Sequence, residues 1–441
     1  MPGSLFAFSS LYFATLLMLL GSGLLSTYLG LRLTAEGVSE IWIGLLMSGY
    51  YAGLVLGASL GHRLIARVGH IRAFVASAGV VTASVLGHGL IPSVEFWLVL
   101  RLLVGMAMMC QYMVLESWLN EQAESHQRGM VFASYMAVTY LGLALGQGVL
   151  MLMPDLDIRQ LLLVSMCFSL CLVPVALTRR LHPAPLHPAP IKIRLFLSRI
   201  PQALTTVLVS GLLLGAFYGL APVFATAMGL ENADIGVFMA ITIVAGLIAQ
   251  WPVGWLSDRM DRSRMIQLSA LISVAVMLLI AVGGLAGIGL LVLTAVFGVL
   301  AFTLYPLAVA LANDHVDPAD RVALSAMLLV TFGLGASIGP LLGSLVMKVL
   351  DASMLYVFMA CCSLILVIRV RPETVTGDHL VDDAPIQFMP AAGNLASSPL
   401  AAALDPRVDE EMVEEHMRDE MDQYAVVQSQ NDEDQDDHRP G

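Results

Sequence analysis

Twelve apolar runs, each close to the roughly 20 residues a helix needs to cross a bilayer, leave this sequence few ways to fold. They lie near residues 5–30, 41–61, 72–91, 95–119, 129–152 and 160–178, and again near 203–226, 234–256, 266–286, 288–311, 322–346 and 352–369. In hydrocarbon every backbone N–H and C=O must be satisfied by the chain itself, so runs of this length become spanning α-helices. Composition strengthens the reading, because 58% of the 441 residues are hydrophobic and only 13% charged, a balance no water-exposed surface sustains. Residues 1–10 have no basic segment ahead of the first run, and no cleavage site of small residues follows it, so it reads as a retained span. Cys110, Cys167, Cys171, Cys361 and Cys362 all fall inside apolar runs and read as small buried hydrophobes.

The two sets of six are related. His62-Arg-Leu-Ile-Ala-Arg67-Val-Gly69-His-Ile-Arg72 separates the second and third runs, and Gly254-Trp-Leu-Ser-Asp258-Arg259-Met-Asp-Arg262-Ser-Arg264 separates the eighth and ninth, 192 residues on (259 − 67). Gly105, Tyr112, Asn120, Arg128, Gly142 and Gly146 recur 193 residues later as Gly298, Tyr305, Asn313, Arg321, Gly335 and Gly339. A repeat of this size marks two half-proteins. An even number of spans per half lets both copies enter the membrane the same way round. The expected fold is an all-α membrane protein with twelve transmembrane helices in two six-helix bundles related by a repeat, residues 1–178 and 201–371.

With a cytoplasmic N-terminus, fifteen Lys and Arg of the membrane portion fall on the inner side and four (Arg32, Arg101, Arg159 and Lys348) on the outer. The positive-inside rule therefore puts both termini in the cytoplasm. Between the bundles, residues 179–200 hold His182-Pro-Ala-Pro-Leu-His-Pro-Ala-Pro190, expected as polyproline II, and then the basic piece Lys192-Ile-Arg-Leu-Phe-Leu-Ser-Arg199. That piece reads either as a surface lying on the anionic inner leaflet or as plain linker. The tail, residues 372–441, carries 18 of the chain's 34 acidic residues and too few apolar ones for a core, so disorder is expected there. Its one helical pattern follows Asp405-Pro406, with Val408, Met412, His416 or Met417, Met421 and Tyr424 read at helical spacing on one face.

The fourth span concentrates the chemistry. At 100° per residue Arg101, Gly105, Met108, Tyr112 and Glu116 share one sector. A charge at mid-bilayer is expensive and usually faces a cavity or a partner; the alternative is that Arg101 and Glu116 snorkel to opposite interfaces. The tenth span keeps Tyr305 but has Thr294 and Val309 in place of Arg101 and Glu116, so the cavity is expected to be electrically asymmetric. Tyr12, Thr15, Tyr218, Gln147 and Gln250 are further wall candidates. At the cytoplasmic ends, Arg67 and Arg259 are expected to pair with Glu121 and Asp314, themselves 193 apart (314 − 121), latching helices with exposed pairs worth ~0–1 kcal/mol each.

Two bundles with a Gly-x-x-x-Asp-Arg-x-(Gly/Asp)-Arg loop in each half resemble the major facilitator superfamily, over about residues 5–371. Gly254, Asp258, Arg259 and Arg262 match the signature loop, with Asp261 where the family has Gly; in the first copy Arg67, Gly69 and Arg72 fit, while His62 and Ala66 depart. Glu116-Ser-Trp-Leu-Asn120 is similar to a bacterial branch of the superfamily whose substrates are mostly unassigned. The resemblance implies that the fourth helix lines a central cavity and that Arg101, in Arg-x-x-x-Gly, is linked to proton coupling. Gly142-x-x-x-Gly146-Gln147 breaks the Gly-Pro signature that drug–proton antiporters of the family carry in the fifth span.

The expected function is secondary transport of a small organic solute by alternating access in a bacterial inner membrane, coupled to protons and carried out by a monomer in contact with lipid. Arg101, Tyr112, Glu116 and Tyr305 are the expected cavity residues, and Arg67, Gly69, Glu121, Gly254, Asp258, Arg259, Arg262 and Asp314 the cytoplasmic gate. No nucleotide loop, metal-ligand cluster or nucleophile–base arrangement occurs, so enzymatic activity, cofactors and nucleic-acid partners are not expected. The alternative is a transporter-like sensor or scaffold acting through the acidic tail.

Overall fold

Helices form on the apolar runs and continue past them. The computed structural model describes residues 8–123, 128–176, 193–284, 287–317, 320–372, 380–381, 388–390 and 398. The first half contains Ser9–Ala35 (α1), Glu40–Val68 (α2), His70–Leu90 (α3), Val94–Gln122 (α4), Arg128–Leu152 (α5), Ile158–Leu170 (α6) and Leu172–Ala176 (α7). After the short Ile193–Arg199 (α8) come Pro201–Ala227 (α9), Asn232–Ser257 (α10), Arg262–Val282 (α11), Ile288–Asn313 (α12), Arg321–Val349 (α13) and Met354–Arg369 (α14). Among the described residues eleven spans are long and apolar enough to cross a membrane, α6 and α7 together forming one, and α14 is a shorter apolar helix. The expected runs mark the hydrocarbon-crossing part of each helix; α2 outruns its expected end because His62, Arg63 and Arg67 remain helical as the span emerges.

Local chemistry sets the breaks. α2 and α3 are separated by the single residue Gly69 at φ 85°, a backbone that a Cβ disfavours. The equivalent turn between α10 and α11 is longer and solves the problem differently. There Asp261, at φ −59°, caps α11 by accepting from the Arg264 N–H at 3.0 Å, so aspartate stands where the first half needs glycine. The sixth span divides at Cys171, because Pro174 has no N–H for the Leu170 carbonyl.

The repeat is visible in the packing. A methyl group on Gly105 would fall 2.1 Å from the Tyr50 carbonyl oxygen, and one on Gly298 would fall 2.2 Å from that of Thr242. Gly142 and Gly146 lie against the carbonyls of Leu16 and Leu20, as Gly335 and Gly339 lie against those of Leu208 and Leu212. Small residues let helix backbones approach closely, which drives association where lipid offers no hydrophobic contrast. The outward surface is correspondingly apolar, with Leu56, Leu86, Ile248, Trp251, Leu271 and Leu342 exposed.

The two bundles meet toward one face. Gly44 of α2 fits against Ser344 and the Pro340 carbonyl of α13, Gly219 of α9 lies on Met47, and Gly236 of α10 lies on the Gln147 carbonyl and Met151 of α5. Asn232 donates to the Pro154 carbonyl at 2.9 Å, and Lys348 stands 3.8 Å from Glu40. These junctions all lie at or toward the helix ends remote from the two charged loops, so the bundles close on that face and part toward the loop face. The polyproline stretch of the linker and the helical pattern after Asp405 lie outside the described residues. The basic piece forms α8, with Phe196 buried and Arg199 paired to Asp317 at 2.7 Å. Of the tail, Val381, Phe388, Met389 and Ser398 are described, and each rests against the helices or their loops.

Candidate functional site

α4 carries its charged stripe on a buried side, where Arg101 meets α1 and α2 and Glu116 meets α5. Arg101 is fully buried in a span that leaves the residue below it, Leu102, against α2; its guanidinium lies 4.6 Å from the centre of the Tyr50 ring. Its Nη2 reaches Ser26 Oγ at 3.4 Å and Met47 Sδ at 3.6 Å, both long and weak, while Nε has no hydrogen-bond partner among the described residues. A guanidinium over an aromatic face gains roughly 2 kcal/mol or more when desolvated, less than a buried cation loses on leaving water. Arg101 is thus under-compensated, and Ser26 and Tyr50 connect it to a central void. That void also borders Ser22, Tyr51, Tyr112 and Tyr218, and measures ≈ 30 Å³, room for water and not for a solute.

Glu116 lies four turns further toward the loop face, wholly buried. Tyr135 of α5 donates to its Oε1 at 3.1 Å. The Ser398 amide donates to both carboxylate oxygens, at 3.0 and 2.8 Å, and the Ser398 hydroxyl donates to Oε2. The stripe therefore has an unsatisfied cation at one end, a solvated-looking but buried carboxylate at the other, and Tyr112 between them. Tyr305 is half-buried on α12 with its ring edge-on to Phe332 at 5.2 Å. Among the other wall candidates Tyr218 borders the void and Gln250 donates to Tyr140 at 3.1 Å across the bundles. Gln147 donates to the Gly23 carbonyl at 3.1 Å and Tyr12 to the Val131 carbonyl at 3.2 Å, both between α1 and α5, while Thr15 donates to the Leu11 carbonyl one turn back within α1.

At the loop face the pairing differs from the expected one. Arg262, not Arg259, is the cation that Asp314 receives. Arg262 is buried on the first turn of α11, bonded to Asp314, to Asp258 at 3.2 Å, to the Ala310 carbonyl at 3.1 Å and to Ser257 at 3.3 Å. α10 ends at Ser257, and the turn that follows leaves Arg259 outside, 4.1 Å over the Trp255 ring and bonded to the Trp255 carbonyl. In the first half the position equivalent to Arg262 is His70 (262 − 192), buried and 3.0 Å from Ser117. Arg67 is exposed at the end of α2. The side chain of Glu121 lies outside the described residues.

Tyr50, Tyr135, His70 and Ser398 were not singled out from sequence. The repeat offset identifies His70 as the counterpart of Arg262, but an isolated aromatic or serine gives no sequence cue to a partner 19 or 282 residues away. Among the described residues no group of three or more His, Cys, Asp or Glu is placed to hold a metal ion.

Comparison with known proteins agrees with this architecture. The family described as Major Facilitator Superfamily matches residues 11–302 and 204–404. An uncharacterised MFS-type transporter, YcaD, of Shigella flexneri is 30% identical over 355 residues, covering 79% of this chain and 91% of its own. A second, from an Enterobacter species, is 28% identical over 366 residues, covering 82% and 94%. Among solved structures, the nucleoside transporter NupG superposes with a TM-score of 0.67 at 16% identity, over 82% of this chain and 97% of its own. A bacterial homologue of the human lysosomal transporter Spinster, in an inward-facing and unoccupied conformation, gives 0.67 at 12% identity, over 84% and 96%.

Proposed function

The chain belongs to the major facilitator superfamily and is a non-enzymatic, multi-pass membrane transport protein, and from that premise we propose that it moves small organic anions in exchange for, or together with, protons. The observation that carries the reading is Arg101: a fully buried guanidinium whose contacts, a long bond to Ser26 and the face of Tyr50, are to two residues that line the central void. On insertion scales an arginine at mid-bilayer costs ~2.5–3.5 kcal/mol. A cargo carboxylate, sulfonate or phosphate arriving between the bundles relieves that cost and gains a charge-assisted bond. The cation thus discriminates by charge, while the tyrosines around the void supply an amphipathic wall.

Glu116 is the proton site in this proposal. It is buried on the same helix face as Arg101 and receives donors from Tyr135 and Ser398. Alternating access proceeds by rocking the two bundles about the void. The loop face is assigned to the cytoplasm because fifteen Lys and Arg lie on its side against four on the other, and the membrane is assigned as a bacterial inner membrane because the similar transporters come from bacteria. In this assignment the conformation seen here is sealed toward the outside.

The test is uptake into proteoliposomes of a panel of matched solutes, each as an anion and as its neutral amide or alcohol, with and without an imposed pH gradient. The expected result is gradient-dependent accumulation confined to anions, abolished by Arg101→Gln and partly retained by Arg101→Lys. Transport of a neutral solute at the same rate by wild type and Arg101→Gln removes Arg101 from recognition and the anion from the proposal.

A further inference from the structure

Where the bundles part, the space is entered by the chain's own tail. The Val381 amide donates to the Asp314 carbonyl at 3.0 Å, at the end of α12. The Phe388 amide donates to Asp258 Oδ1 at 2.8 Å, and the Phe388 ring fills the notch over Gly254, where a methyl group would come within 2.4 Å of it. Ser398, buried, gives both its amide and its hydroxyl to Glu116. The receiving surface is made of acceptors: a helix-end carbonyl and two carboxylates. What meets it are tail residues offering three backbone N–H donors, one hydroxyl and one aromatic ring.

Those stations belong to different bundles. Asp314, Asp258 and Gly254 are in the second half and Glu116 is in the first. Ten residues separate Phe388 from Ser398 (398 − 388), enough chain to span up to about 36 Å when extended. Phe388 and Ser398, tied to different bundles on the face where they part, stand in the way when that face closes. A ligand that binds one of two states shifts the balance toward it by its differential affinity, and a tethered segment acts at high effective concentration.

We infer that the loop face is a docking surface for the tail around Val381, Phe388 and Ser398, and that the docked tail restrains transport by holding the bundles parted on that face with Glu116 capped. A solute or proton approaching Glu116 from this side must first displace Ser398. The Gly254 notch has a role here beyond helix packing, since it is Phe388, and not a neighbouring helix, that lies over it.

The inference presupposes alternating access but no particular cargo, and its test needs none. Hydrogen–deuterium exchange on the unaltered full chain should show the Val381, Phe388 and Ser398 amides exchanging at least about tenfold slower than free peptide. Spin labels at Glu36→Cys and Asp351→Cys, with the five native cysteines replaced, report opening of the opposite face by pulsed electron resonance. The full-length chain should give one short distance. Ser398→Pro, which removes both donors, and Phe388→Asp, which sets a carboxylate against Asp258, should each add a longer population. Exchange of the three amides at the free-peptide rate, or a distance distribution unaltered by both substitutions, overturns the inference. Failure of the anion panel leaves both readouts untouched, so the two proposals fail separately.

Discussion

Arg262 is expected to be the charge on which the second bundle most depends, and the structure sets the scale. Its side chain is 3% exposed and that of its partner Asp314 is 8% exposed. Removing one member of such a pair leaves a buried charge uncompensated, at about 3–5 kcal/mol. Arg262→Met should therefore lower the detergent melting midpoint more than any other single change in the loop. Asp314→Asn should cost less, because Arg262 keeps Asp258, the Ala310 carbonyl and Ser257. Asp258→Asn, at 32% exposed, should fall near the ~0–1 kcal/mol of surface pairs. Arg259→Ala loses a stack on Trp255 worth ~0.5–1 kcal/mol at an exposed site. The double variant Arg262→Met with Asp314→Leu should recover most of the loss, since a buried pair replaced by apolar side chains is often neutral. Cys361 is exposed, contrary to the expectation that all five cysteines are buried, so a thiol-reactive dye reads the midpoint in a Cys361→Ser background, where Cys110, Cys167, Cys171 and Cys362 are buried until the chain unfolds. Arg259→Ala destabilising as much as Arg262→Met, or no recovery in the double variant, would refute the assignment.

Gly105→Ala and Gly298→Ala should each cost at least the ~1–3 kcal/mol of an overpacked core, since the added methyl meets a backbone carbonyl that cannot rotate away; Gly79→Ala, with nothing within 4 Å, should stabilise by about 0.5–1 kcal/mol, and the melting midpoints of the three decide it. Gly69→Ala should destabilise by about 1–2 kcal/mol for its positive φ, whereas Asp261→Gly should lose only the few tenths of a cap exchanged for glycine, measured the same way. Glu116→Gln should abolish proton-driven accumulation in proteoliposomes while retaining part of counterflow exchange, which needs no net protonation change; equal loss of both would make Glu116 structural or cargo-binding.

Much of the fold was legible because it rests on features that sequence states locally. Run length gave the helices, and the 192- and 193-residue offsets gave the two halves, which reappear as glycines pressed against equivalent carbonyls: Gly105 on Tyr50 beside Gly298 on Thr242, and Gly142 on Leu16 beside Gly335 on Leu208. The stripe of Arg101, Tyr112 and Glu116 was legible for the same reason, since helical spacing alone defines it. What sequence left open was pairing. Arg259 and Arg262 are both cations of one loop, and only the turn that separates Ser257 from α11 decides which faces Asp314. The tail illustrates the same limit more sharply: composition registers its acidity, while three amides, one hydroxyl and one ring determine where its described residues rest.

The repeat also explains where the chemistry resides, because the halves use equivalent positions for different purposes. Arg101 lies over Tyr50, and the equivalent positions in the second half, Thr294 and Thr242, form a 2.7 Å hydroxyl pair. Glu116 with Tyr135 becomes Val309 with Leu328 (309 − 116 and 328 − 135 are both 193). At the loop face the asymmetry reverses: the first half has a neutral-capable His70 on Ser117, and the second has Arg262 on the Ala310 carbonyl and Asp314. The cavity charge is therefore in the first bundle and the strong loop-face ion pair in the second. The described tail residues meet both halves, Phe388 on Asp258 in the second and Ser398 on Glu116 in the first, so a restraint at the loop face would act on the helix that carries Arg101 as well as on the relative rotation of the two bundles that alternating access requires.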